Sequence, residues 1–211
     1  MISHSLRCIF IHIPKCGGSS IEDVLWPGPR TTEELWGGLV DAYHNPYQTG
    51  ALQHLTAALV REVVGEAIFS RYYRFAVVRN PWDRTVSQFA YLRRRRDLRA
   101  FLGIGDDAEF KTYLHAIRAR PHVQWEPQYR FLYDADDRLL VDDVLRFEEL
   151  DAAMARVFER LGVSGPLPHR NSSERESLDA YYDAEARELA GEFYAQDAQR
   201  FGYTFPQAQK T

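Results

Sequence analysis

Residues 8–20 read CIFIHIPKCGGSS, an isoleucine-rich apolar run that passes directly into a glycine pair with Lys15 just ahead of it. A short continuous apolar run from Arg7 to Ile13 is the signature of a strand covered on both faces in a parallel sheet. Gly17 and Gly18 then turn the chain, and Ser19 or Ser20 is placed to cap a helix bearing Ile21, Val24 and Leu25. That helix is predicted to stop before WPGPR, because proline and glycine cannot continue it. A strand, a glycine turn and a helix N-terminus together present backbone amides to an anion, and Lys15 adds a full positive charge. In an ATPase loop the lysine and a hydroxyl follow the glycines, as GxxxxGK[ST]. Here the lysine precedes a shorter loop, which disfavours magnesium-dependent phosphoryl transfer. Taken alone, the segment reads equally as a structural strand-to-helix turn.

Working outward, a second strand is predicted at Tyr73–Arg79, followed by Asn80, Pro81 at a first helical position and a helix with Val86, Phe89 and Leu92 inward. Between the two strands lie a long excursion from Trp26 to Gly50 and a helix from Thr56 to Gly65 with Leu59, Val60, Val63 and Val64 on its inner face. Further helices are expected at Asp107–Ala119, Leu150–Leu161 and Leu178–Arg200. Arg138–Phe147 reads as a hairpin or as strand, turn, strand. The run Arg93–Arg96 reads as a solvated continuation of its helix. Strands alternating with helices give an α/β fold with a mainly parallel sheet flanked by helices, and the 211 residues fit a single domain, residues 1–211. In such folds ligands sit beyond the carboxyl ends of the strands, where both Lys15 and Arg79 fall.

Composition narrows the classes. Apolar and charged fractions of 45% and 27% are those of a globular chain. The formal net charge of −4 argues against a general nucleic-acid binder. No apolar run is long enough to cross a bilayer and none resembles a signal peptide, so a cytoplasmic location is the default expectation. The two cysteines, Cys8 and Cys16, make neither a disulfide framework nor a metal spacing, and no metal site is expected. Arg79 offers a planar fork for a phosphate and Ser87, two turns into the following helix, a hydroxyl. Arg84 either faces the same ligand or pairs with Asp83 or another nearby carboxylate. His12 reads as a core residue.

The segments FIHIPKCGGSS, QHLT, FAVVRNPWDRTVSQF, RFEEL and LPHRNSS, in this order, closely resemble the carbohydrate-type sulfotransferases, the group that includes heparan sulfate 2-O-sulfotransferase. The resemblance runs from Ile9 to about Tyr203. It implies a P-loop-like fold that binds 3′-phosphoadenosine 5′-phosphosulfate (PAPS) and passes its sulfuryl group to an acceptor hydroxyl, leaving adenosine 3′,5′-bisphosphate (PAP). On this resemblance the 5′-phosphosulfate is contacted by Lys15, Gly17, Gly18, Ser19 and Ser20, and the 3′-phosphate by Arg79 and Ser87. Lys15 is then catalytic as well as binding, and His54, just before a helix, is the base.

The resemblance also implies a segment closing over the nucleotide before the last helix. Arg170, Asn171, Ser172 and Ser173 either approach the adenosine or 3′-phosphate, Ser173 being the binding candidate, or form a solvated connector. Cys16 stands where many members have threonine and is assigned no contact; it is either a reactive thiol or a packing residue. Trp36, Tyr43 and Trp125 are candidates to stack on a sugar, against the commoner fate of core packing. Anchored members carry a membrane segment and stem that this chain lacks, so it resembles a soluble, bacterial-type member, with a carbohydrate or another hydroxylated small molecule as acceptor. Two alternatives stand beside this reading: a nucleotide or small-molecule kinase, and a non-catalytic nucleotide-binding module.

Overall fold

The structure, a computed structural model, describes residues 1–29, 31–36, 52–168 and 177–206. In chain order its elements are β1 (Ile2–Ser3), β2 (Cys8–Ile11), α1 (Gly18–Leu25), a 3₁₀ turn at Leu52–His54, α2 (Ala57–Val64), α3 (Glu66–Arg71) and β3 (Tyr73–Val78). There follow α4 (Pro81–Leu92), α5 (Arg96–Leu102), α6 (Phe110–Ala119), α7 (Tyr129–Leu132), β4 (Asp143–Arg146), a 3₁₀ turn at Phe147–Glu149 and α8 (Leu150–Leu161). The chain ends in α9 (Leu178–Tyr181), α10 (Ala184–Phe193) and α11 (Ala195–Phe201). These elements form two compact units, Met1–Val78 with Gln128–Asn171, and Arg79–Pro127 with Ser172–Thr211.

The first unit holds the sheet, in the order β1-β2-β3-β4. β1 runs antiparallel to β2, while β2, β3 and β4 are parallel, with Phe10 opposite Phe75 and Val78 opposite Arg146. All four residues of β2 are buried, as their unbroken apolar character predicts for a central parallel strand. Phe10 and Phe75 stack across the pair at 5.0 Å between ring centroids. The fold is thus α/β with a mainly parallel sheet accompanied by helices, as the sequence predicts.

Four local expectations change here. Neither serine caps α1: Gly17 is the cap residue and both serines lie inside the first turn. In α2 only Ala57 and Val60 are buried, while Leu59, Val63 and Val64 are half-buried. Within Arg138–Phe147 only Asp143–Arg146 joins the sheet, as a parallel strand rather than a hairpin, and Leu139 bridges to Tyr133 instead. The excursion begins inside the core, since Trp26 and Leu35 are buried, the Trp26 indole donates to the Ile2 carbonyl at 3.1 Å, and the Ile2 amide donates to Glu34 at 2.9 Å. Its remainder, residues 37–51, lies outside the described residues.

The second unit is helical. α4 starts as the sequence predicts, with the Asn80 side chain accepting from the Trp82 amide at 3.1 Å and Pro81 at the first turn. Phe89 meets Phe110 and Tyr113, each at 5.3 Å, and Phe110 meets Tyr182 at 4.9 Å. The arginine run does not extend α4, which ends at Leu92 before α5 restarts at Arg96. Four adjacent like charges repel on a helix, and Arg95 instead reaches Asp97 and the Tyr91 hydroxyl. The expected long final helix is three. Tyr182 leaves helical geometry, buries against Phe110 and donates to the Trp82 carbonyl at 2.9 Å. Asp183 then caps α10 by accepting from the Ala186 amide at 2.8 Å.

Candidate active site

β2 and β3 are parallel neighbours, so their carboxyl ends point the same way, and the loop His12–Gly17 leaves from the end of β2. Lys15 and Gly17 both take left-handed φ values, 68° and 82°. Gly17 tolerates this freely, whereas for Lys15 the surrounding fold must offset a cost. Two contacts explain why both glycines are needed. A Cβ on Gly17 would sit 2.8 Å from Leu150 and 3.2 Å from Phe147, which back the loop and come from the RFEEL segment. A Cβ on Gly18 would sit 2.0 Å from Nε2 of His12, so the imidazole fills the space that a side chain would occupy.

The helix that follows keeps its N-terminal amides uncapped by any side chain of Gly17, and its first turn holds no acidic residue. Unsatisfied amides and the helix dipole favour an anion there. Lys15 is half-buried, Ser19 exposed and Ser20 buried, the Ser20 amide closing on the Gly17 carbonyl at 3.2 Å. Cys16 is buried and its thiol donates to Gln128 Oε1 at 3.3 Å, so it ties the loop to the residue ahead of α7. Packing, rather than reactivity, is its role here.

His12 is a buried core residue, as the sequence reading expects. Its Nδ1 lies 2.6 Å from Oε1 of the buried Glu22, one turn along α1 from Gly18. Its backbone carbonyl is 3.0 Å from Nδ1 of His54, and the two rings meet edge to face at 4.7 Å. A carbonyl can only accept, so this bond places the His54 proton on Nδ1 and leaves the Nε2 lone pair to take another. Desolvation pushes the His54 pKa down to about 3 despite the opposing bond to the carbonyl. His54 is therefore neutral at physiological pH, the protonation state of a base. Its place is fixed by the 3₁₀ turn and by Thr56, whose hydroxyl accepts from the Leu59 amide at 3.3 Å to start α2.

In the second unit, Arg79 follows the last residue of β3 and precedes α4, on which Asp83 and Ser87 stand four residues apart on one side. Arg79 is buried and its Nε donates to Asp83 at 2.6 Å. Asp83 thus pairs with Arg79. Arg84 is buried and donates to the carbonyls of Glu126 at 3.0 Å and Gln124 at 3.5 Å, a packing role. Ser87 is buried, and its hydroxyl makes no hydrogen bond among the described residues. Trp125 is core: its indole donates to Arg120 at 2.8 Å and its carbonyl accepts from Tyr194 at 2.9 Å. Ser173, with the rest of the Arg170–Ser173 loop, and Tyr43 lie outside the described residues.

The structure brings the loop residues, His12, Glu22 and His54 together in one unit. The pairing of His12 with Glu22 is absent from the sequence reading, because it depends on the reversal of direction between β2 and α1. Among the described residues no cluster of histidine, cysteine, aspartate or glutamate could hold a metal, and no helix is long and apolar enough to cross a membrane.

A family model described as the sulfotransferase family matches residues 1–204, running through both units. Neither the curated proteins nor the solved structures contain a match to this chain. With that match spanning nearly its whole length, the chain belongs to the sulfotransferase family.

Proposed function

We propose that this sulfotransferase takes its sulfuryl group from PAPS and passes it to a hydroxyl of a carbohydrate or other hydroxylated small molecule. The observation that carries the reading is the arrangement of His54: a neutral imidazole whose proton is pinned on Nδ1 by the carbonyl of His12, three residues before Lys15. Lys15 and the first amides of α1 would bind the donor's 5′-phosphosulfate. They would also stabilise the negative charge that grows on the bridging and 5′-phosphate oxygens as the S–O bond breaks. His54 Nε2 takes the acceptor's proton while the acceptor oxygen bonds to sulfur and PAP departs. Such a base contributes typically about 10²–10⁴-fold. Arg79, its guanidinium oriented by Asp83, and Ser87 would serve the 3′-phosphate, and two or three charge-assisted bonds of about 1.5–3 kcal/mol each are enough to select it.

The experiment is transfer from PAPS carrying labelled sulfate to a panel of hydroxylated acceptors, with binding of PAP and of adenosine 5′-monophosphate measured in parallel. Labelled product is expected. Arg79→Ala should weaken PAP far more than the monophosphate. Equal losses for the two nucleotides would contradict the 3′-phosphate role, and PAP that does not bind the unaltered chain would contradict the donor.

A further inference from the structure

At the opposite end of the same strands, the amino ends of β2 and β3, the first unit carries a depression of about 310 Å³. Four arginines from three separate stretches of chain line it: Arg7 ahead of β2, Arg71 and Arg74 around the start of β3, and Arg160 in the last turn of α8. Its single lining carboxylate is Asp142, which leaves a formal surplus of three positive charges on a chain whose total is −4. From this convergence we infer a second anion-binding site, distinct from the glycine loop, that takes a compact ligand bearing two phosphate or sulfate groups.

Each guanidinium has a definite state. Arg74 and Asp142 satisfy one another through a bidentate contact, Nε to Oδ2 at 3.0 Å and Nη2 to Oδ1 at 2.5 Å, and Asp142 also accepts from the Arg74 amide at 2.8 Å. Partial burial works against the Asp142 carboxylate, yet the bonds from Arg74 and the charge of Arg160 hold its pKa below the usual range. That carboxylate is bonded to Arg74 alone among the four arginines, and the formal surplus of three positive charges remains. The Cζ of Arg160 lies 4.1 Å from the centroid of the Tyr73 ring, a cation–π contact that leaves its N–H groups able to bond. The guanidinium groups of Arg7 and Arg71 make no ion pair or hydrogen bond among the described residues.

Positions near helix C-termini explain Arg71 and Arg160 taken singly, because the dipole favours cations there. They do not explain Arg7, which holds a left-handed φ of 49° in the turn before β2 and brings a third unpaired charge to the same place. Unpaired, forked and close together, these groups match tetrahedral oxyanions. The volume lies at the small end of the range for ligand sites, which favours a diphosphate or disulfated group over a nucleotide. Such a group is available as a free inorganic ion or attached to a sugar.

The test is calorimetric titration of the full chain with inorganic pyrophosphate, in a Lys15→Ala background so that the glycine loop contributes little. A disulfated disaccharide forms the second arm. Pyrophosphate should bind, and adding Arg71→Ala with Arg160→Ala should weaken it at least about tenfold and flatten its salt dependence. Tighter binding of the disaccharide identifies a sugar-borne group and tighter binding of pyrophosphate the free ion; either supports the site. Should the double variant lose its circular dichroism spectrum, Arg7→Ala replaces it, with a weakening of about threefold or more expected. No binding in the Lys15→Ala background, or equal affinity with and without the arginines, overturns the inference. Because the probe and the variants touch neither His54 nor Arg79, failure here leaves the sulfotransferase reading as it was.

Discussion

At the scale of single residues, Gly18 is explained by what stands over it. Gly18→Ala would drive a methyl into the His12 ring, which is hemmed in by Glu22 and by the edge-to-face His54 ring. Overpacking of this kind costs about 1–3 kcal/mol. Urea denaturation should show that loss for Gly18→Ala, whereas Ser19→Ala, at an exposed position in the same turn, should stay within about 0.5 kcal/mol of the parent. A Gly18→Ala protein as stable as its parent would mean that the His12 ring is not fixed there. His54 makes a second residue-scale prediction. Since its pKa in the ligand-free chain is about 3, kcat/KM, which reports the free enzyme, should show no acid limb from this group near its ordinary value of 6.5. An acid limb centred there and abolished by His54→Gln would contradict the burial argument.

At the scale of elements, the caps carry the local structure. Replacing Asn80 by alanine removes the acceptor for the Trp82 amide and the donor to the Thr204 carbonyl at 2.8 Å, so a loss of about 1–2 kcal/mol in thermal or urea unfolding is expected. Thr56→Ala, which loses a single bond, should cost about half as much. Local signals made α4, α6 and α8 partly legible beforehand, whereas α7 is a short helix that the sequence reading did not predict. Asn80-Pro81 marks a start within two residues, and the spacing of Phe110, Tyr113, Leu114 and Ile117 names a buried face without reference to the rest of the chain. The C-terminal helices were not legible as three, because the break at Tyr182 is made by burial against Phe110, some seventy residues away in sequence. The site divides along the same line. Lys15, Gly17 and Gly18 announce themselves by adjacency, Arg79 and Ser87 by their place beyond the second strand, and the resemblance to a family singled out His54. The roles of Glu22, Gln128, Phe147 and Leu150 arise only once strand and helix are folded back on one another.

At the scale of the whole molecule, each unit holds a histidine whose pKa is lowered by desolvation. Burial lowers His54 to about 3 and His122, stacked on Trp125 at 4.7 Å, to about 4, both below the ordinary 6.5 of the unfolded chain. Between those values the unfolded state binds more protons, so stability rises with pH through that window. Unfolding free energy should therefore fall as pH drops from 6.5 towards 4, and His122→Phe should flatten that fall; an unchanged slope would assign it to other groups. The account as a whole asks one thing of the chain: that His54 do chemistry and not binding. The measurement is turnover with PAPS and affinity for PAP, made side by side on the parent and on His54→Ala. Turnover reduced by about 10²–10⁴-fold with PAP affinity within about threefold is the predicted result. Unchanged turnover, or a loss of turnover matched by an equal loss of PAP affinity, would contradict it.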